Sequence, residues 1–228
     1  MSPTSSDSSR ADDPRADDPR ADDPRADDPR VDAASDDSII AATLARNDRY
    51  LREFIEALAI CPYARTCRET GRLHREVLLH KTPDADALVQ RILDLSTPEH
   101  AEIEVGLLIL PNLALSATEF DRFVRGVQRS YQQQRPAGVS GYFVVAFHPE
   151  NDMRLDNPDV AVRFMRRSPD PTIQIVRPEA IARLCGDRDR EILSRNIAEA
   201  GLRAVQTHGP QVLAALLGSM RGSGNKAP

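Results

Sequence analysis

The sequence predicts an α/β (or α+β) sandwich: one sheet of about four strands with helices packed on it, behind a disordered N-terminal tail. Three observations carry this. Runs at helical spacing alternate with short apolar runs along the chain, the order that layered α/β domains require. Two of the short runs, IEVGLLIL (103–110) and YFVVAF (142–147), are apolar but for Glu104, as strands covered on both faces are. Residues 10–30, in contrast, repeat the unit ADDPR four times, and nothing in that unit larger than Ala can form a core.

The tail is residues 1–37. Proline recurs every five residues of the repeat and removes a backbone donor each time, so neither helix nor strand propagates. The unit is also too short and too polar for a solenoid. The tail carries 12 Asp against 5 Arg, a net −7, whereas the whole chain of 228 residues is −5. Residues 38–228 are therefore +2, and nothing in their charge calls for nucleic acid. Residues 38–218 form one domain, long enough for a real core, and 219–228 read as a frayed end.

The first helix is expected from Ser38, with Leu44, Leu51, Ile55 and Leu58 on one face, stopping at or before Cys61 because Pro62 follows. Pro62 then opens a short helix closed by Gly71. EVLLH (76–80) is the first strand, DADALVQRILDL (84–95) a helix, and Ile103–Leu110 the second strand, ended by Pro111. Thr118 caps a helix that buries Phe120, Phe123, Val127 and Tyr131. Tyr142–Phe147 is the third strand. TIQIVR (172–177) alternates and is the fourth. Pro178 starts a helix to about Leu184, Asp187 caps another with Leu193, Ile197 and Ala204 on one face, and a last short helix follows Pro210. Helical links predict a parallel start to the sheet; strand order is not recoverable.

No basic stretch precedes an apolar one at the N-terminus, and no segment approaches the roughly 18 apolar residues of a membrane span. Cys61, Cys67 and Cys185 make no disulfide framework, and C-x5-C is not a zinc spacing. A soluble cytoplasmic protein with reduced thiols is the expectation.

The long polar segment between Phe147 and Thr172 is where chemistry is expected. Structureless loops beyond about 12–15 residues are uncommon in compact domains unless functional or disordered. Val160, Val162, Phe164 and Met165 give this one something to bury. His148 enters it at a strand end, with a side chain suited to acid/base work, metal ligation or the satisfaction of backbone groups. Arg163, Arg166 and Arg167 precede Ser168-Pro169 and suit a carboxylate or phosphate, or pairing with nearby acids such as Glu150. Cys61, at the start of the short helix with Arg65 one turn on, is the thiol with a mechanism for activation. Its bland alternative is a small apolar residue in a helix corner. Cys185, before Gly186, reads as core.

CPYA (61–64), FHPEND (147–152), RRSPDP (166–171) leading into TIQIVRPEAI, and RNI (195–197) together resemble a bacterial family known as domain of unknown function 1415. The resemblance covers roughly residues 44–200. It falls on Cys61, Pro62, Ala64, Phe147, His148, Pro149, Arg167, Ser168, Pro169 and Pro171. Pro62, Pro149, Pro169 and Pro171 then serve as a structural frame. Two positions depart from the family's pattern: Asp170 stands where an aromatic is usual, and Arg166 where an Asn is. The resemblance implies no activity.

Three functions fit these residues. The first is a small enzyme, with Cys61 as nucleophile or redox thiolate, His148 as its acid or base, and Arg163, Arg166, Arg167 and Ser168 binding a small anionic substrate anchored by Arg167. The second is a metal site built from Cys61, His148 and a carboxylate such as Asp152 or Asp156. The third is a non-catalytic module that grips an anion through the arginines. No G-x-S-x-G, P-loop or G-x-G-x-x-G is present, so no nucleotide cofactor is indicated and no cofactor is named.

Overall fold

The computed structural model describes residues 29–151, 163–185 and 190–221. Helix α1 spans Pro29–Arg49 and runs directly into a π-helical segment, Tyr50–Glu56. It begins earlier than the Ser38 expected. Pro29 is the last proline of the repeat, acceptable in the first turn, and nothing after it interrupts backbone hydrogen bonding. The remaining elements are α2 (Ala64–Glu69), β1 (Leu73–Val77), α3 (Ala85–Leu95), β2 (Val105–Ile109), α4 (Ala117–Gln134), β3 (Phe143–Phe147), β4 (Thr172–Val176), α5 (Pro178–Cys185), α6 (Arg190–His208) and α7 (Pro210–Met220). Asp187, expected as a cap, lies outside the described residues.

The four strands form one mixed sheet in the order β1-β2-β4-β3. β1 pairs parallel with β2, while β4 lies antiparallel to both β2 and β3. β1 covers Leu73–Val77 rather than 76–80 because its partner starts at Val105, and Leu73 pairs with Val105 across the ladder. Leu78 extends the pairing by donating its N–H to the Ile109 carbonyl at 2.8 Å. Gly106 in β2 has a packing reason: a Cβ there would stand 2.6 Å from Cγ1 of Ile175 on β4.

Each face of the sheet has its own core. α3 and α4 cover one, where Leu88, Ile92, Phe120, Val124, Val127 and Tyr131 meet Leu108, Val144, Ile173 and Ile175. Ser116, not Thr118, caps α4, in a reciprocal box with Glu119; three residues separate them, the spacing that box requires. The other face meets α1, the π-helical segment, α6 and α7, with Phe54, Phe164, Leu213 and Leu217 packed on Leu107 and Ile109. Phe164 and Met165 are buried, so this end of the polar segment is part of the core. Gly201 on α6 lets that helix close onto Met165: a Cβ there would collide with the Met165 side chain. Among the described residues, no helix is long and apolar enough to cross a membrane.

Candidate functional site

Period two in the strands divides their side chains between two faces. Phe143, Val145 and Phe147 of β3, Thr172, Gln174 and Val176 of β4, Val105 and Leu107 of β2, and Leu73 of β1 point away from α3 and α4. Against them stand α1, the π-helical segment, the Cys-Pro turn and α2. A cavity of ≈ 340 Å³ remains between the two layers. Both ends of β3 and β4 line it, so it runs the length of the strands, about 13 Å at 3.3 Å per residue.

The helical wall is irregular where it meets the cavity. Tyr50, Leu51 and Ile55 line it from the π-helical segment, a geometry that is rare and concentrates at functional sites. Ala59 follows with φ 51°, a left-handed conformation that costs a Cβ-bearing residue about 1–2 kcal/mol. That turn delivers Ile60, Cys61, Tyr63 and Ala64 to the cavity, and Cys67 joins them from α2. Two buried polar atoms on this wall, Asn47 Oδ1 and the Tyr63 hydroxyl, have no hydrogen-bond partner among the described residues. A purely structural wall rarely carries such groups.

Cys61 lines the cavity, but its surroundings do not activate it. α2 starts at Ala64, two residues later than Pro62. Burial pushes the Cys61 thiol up, and the Ala64 N–H offsets only part of that. Arg65 does not pair with the thiol; it approaches Glu56 at 3.5 Å, which Arg68 grips at 2.7 and 2.9 Å. Burial likewise pushes the Cys67 thiol up to about 11. Both cysteines are free, and both face the cavity although spacing on a continuous helix put them on different faces. Cys61 precedes α2, so helical angles do not apply to it.

His148 is on the other face of the sheet. It continues the parity of Val144 and Ala146, and its ring lies 5.6 Å from that of Phe120 on α4. Both ring nitrogens are engaged by backbone: Nε2 donates to the Leu115 carbonyl at 2.9 Å, and Nδ1 accepts from the Glu150 N–H at 3.1 Å. This is one neutral tautomer, and burial lowers the pKa further in its favour. The sheet therefore separates His148 from Cys61, and the thiol–imidazole pair expected from the sequence does not form. For the same reason the two cannot share a metal. Asp152 and Asp156 lie outside the described residues, within which no three His, Cys, Asp or Glu side chains gather as a metal site.

The arginines part company. Arg163 is exposed. Arg167 does not line the cavity; its Nε is buried without a partner among the described residues, near Glu150 and Arg221. Arg166, also exposed, and Ser168, buried, do line it. Ser168 Oγ donates to the Asp170 carbonyl at 2.5 Å, and Thr172 Oγ1 to the same carbonyl at 2.9 Å. Asp170 is gripped by Arg46 of α1 at 2.9 and 3.2 Å, which fastens the loop to the helical wall. The prolines frame these turns. The Pro171 carbonyl accepts from Leu110 N–H at 2.8 Å, the Pro149 carbonyl accepts from Arg221, Pro169 is buried, and Pro62 sits in the turn before α2.

Sequence reasoning missed Asn47, Tyr63, Gln174 and the aromatic edge of β3. The alternation of β4 was a signal for Gln174: one face carries Thr172, Gln174 and Val176, which is the cavity face. A family model described as "Protein of unknown function (DUF1415)" matches residues 42–208. No curated protein matches, and no solved structure does.

Proposed function

We propose a function from the cavity itself, because the chain belongs to the family of unknown function DUF1415, whose description carries no activity. The protein binds a small molecule with an apolar body between the sheet and the π-helical segment. The cavity carries this reading. At ≈ 340 Å³ it is within the usual range of ligand pockets and about twice the volume of an apolar cavity that takes up benzene. Its walls are mostly Leu, Ile, Val and Phe, with a few polar groups, the usual make-up of a small-molecule site. The unpartnered Asn47 and Tyr63 atoms support it. Cys61 faces the ligand as a neutral, soft contact. A location in the cytoplasm, where thiols stay reduced, belongs to the same proposal.

Isothermal titration with 1-octanol tests it. Wild-type protein binds 1-octanol, and Val145→Phe, which fills the cavity from β3, abolishes binding while circular dichroism shows an intact fold. Wild-type protein that takes up no 1-octanol, or a folded Val145→Phe variant that binds it unchanged, overturns the reading.

A further inference from the structure

The cavity has two unlike ends. At one, Phe147 pairs with Thr172, and the residues beyond them are Arg166 and Ser168. At the other, Leu73, Val105, Val176 and Phe143 stand in register, and α2 is tied to that edge by Arg72 N–H on the Cys67 carbonyl at 2.9 Å. The second end offers apolar side chains and thiols. The first offers a guanidinium.

Arg166 is placed firmly. Its carbonyl accepts from the His148 N–H at 3.0 Å and from Asn151 Nδ2 at 2.8 Å, and its own N–H donates to the Arg163 carbonyl at 3.2 Å. Its side chain has no carboxylate within ion-pair distance among the described residues. The acid that most influences it, Asp121, is paired with Arg125 on α4. Arg163, the other charge acting on Arg166, has the same sign. Arg166 is exposed at the rim of an apolar cavity and has no counter-ion among the described residues, so an anion that enters with the ligand meets a guanidinium there.

We propose that the ligand is a small unbranched monocarboxylate, with its carboxylate at Arg166 and its chain extended along β3 and β4 toward the Cys61–Cys67 end. This rests on the cavity reading above. The length of β3 and the cavity volume together suit roughly eight to ten non-hydrogen atoms. Ser168 is not a donor to the anion, since its hydroxyl hydrogen is committed to Asp170. Arg167 is not one either, being off the cavity. Recognition at the head is thus a single Arg, which distinguishes a carboxylate from the neutral head of the same chain.

Titration with octanoate and 1-octanol in parallel tests this. In wild-type protein octanoate binds about fivefold tighter than 1-octanol, the upper end of what a charge pair at an exposed rim supplies. Arg166→Gln removes that advantage and leaves 1-octanol within about twofold of wild type, while Arg166→Lys keeps part of it and Arg163→Gln all of it. Equal affinity for the two probes in wild-type protein overturns the carboxylate assignment and leaves the cavity reading standing. So does an Arg166→Gln variant that loses both probes equally, or an Arg163→Gln variant that matches Arg166→Gln. If neither probe binds, both readings fall.

Discussion

His148→Ala separates a structural histidine from a catalytic one. The ring bridges the Leu115 carbonyl at 2.9 Å and the Glu150 N–H at 3.1 Å, and the residue is 4% exposed. Truncation leaves the partly buried Leu115 carbonyl without its donor, at about 1–3 kcal/mol. The Glu150 N–H adds less, because Glu150 is exposed and water can replace the ring nitrogen. The void beside Phe120 contributes a further cavity term, and the total is about 3–4 kcal/mol. Urea unfolding followed by circular dichroism reads this as a lower midpoint at constant slope. The pH dependence gives a second handle. Burial holds the folded pKa below the ordinary value near 6.5, so in acid the unfolded state binds the proton first. Stability is full above about pH 6.5 and falls as the pH drops toward the folded pKa, by at most about 1.4 kcal/mol per pH unit for this group. The variant lacks that component. A loss below about 1 kcal/mol, coupled to loss of 1-octanol binding, would refute a structural role and make His148 part of the site.

Other perturbations follow from the same geometry. A double-mutant cycle on Arg46→Ala and Asp170→Ala gives a coupling of about 1–2 kcal/mol, since the pair is bidentate and only 21% and 12% exposed; additive single effects would show that the loop is held by something else. Ala59→Gly stabilises by up to about 1 kcal/mol, raising Tm by a few degrees, because it relieves left-handed strain at φ 51° at the cost of a more flexible unfolded chain; destabilisation would mean the Ala59 methyl packs more than its strain costs. Cys61 reacts with iodoacetamide more slowly at pH 7 than a free thiol does, and faster as pH rises, because its burial favours the neutral form. Rapid, pH-independent alkylation near neutrality would show a thiolate and return Cys61 to the role of nucleophile.

The layered fold was legible because it rests on local signals. β2, β3 and β4 are short apolar or alternating runs bounded by Pro or Gly, and the helices between them show apolar residues at helical spacing. β1 was misplaced because EVLLH looks more like a strand than LHREV does. What decides it is the pairing of Leu73 with Val105, a long-range fact. The π-helical segment and the left-handed Ala59 have no sequence signature, yet they shape one wall of the cavity.

The face assignment of His148 was within reach of the sequence. Phe147 lines the cavity, and the next residue along a strand points to the opposite face, where α4 waits. What the sequence could not supply was which face Cys61 joins, since that depends on how α1 folds over the sheet. The recurring motifs then acquire a different relation from the chemical one first expected. His148 does not line the cavity. Its side chain secures the start of the loop to Leu115, and its backbone N–H holds the carbonyl of Arg166. Asp170 ties the far end of that loop to Arg46. Between these two fixed points stand Arg166 and Ser168, both on the cavity. An imidazole and an acid that do not line the cavity thus set the position of Arg166, which does, so residue 166 can change while the frame around it is kept.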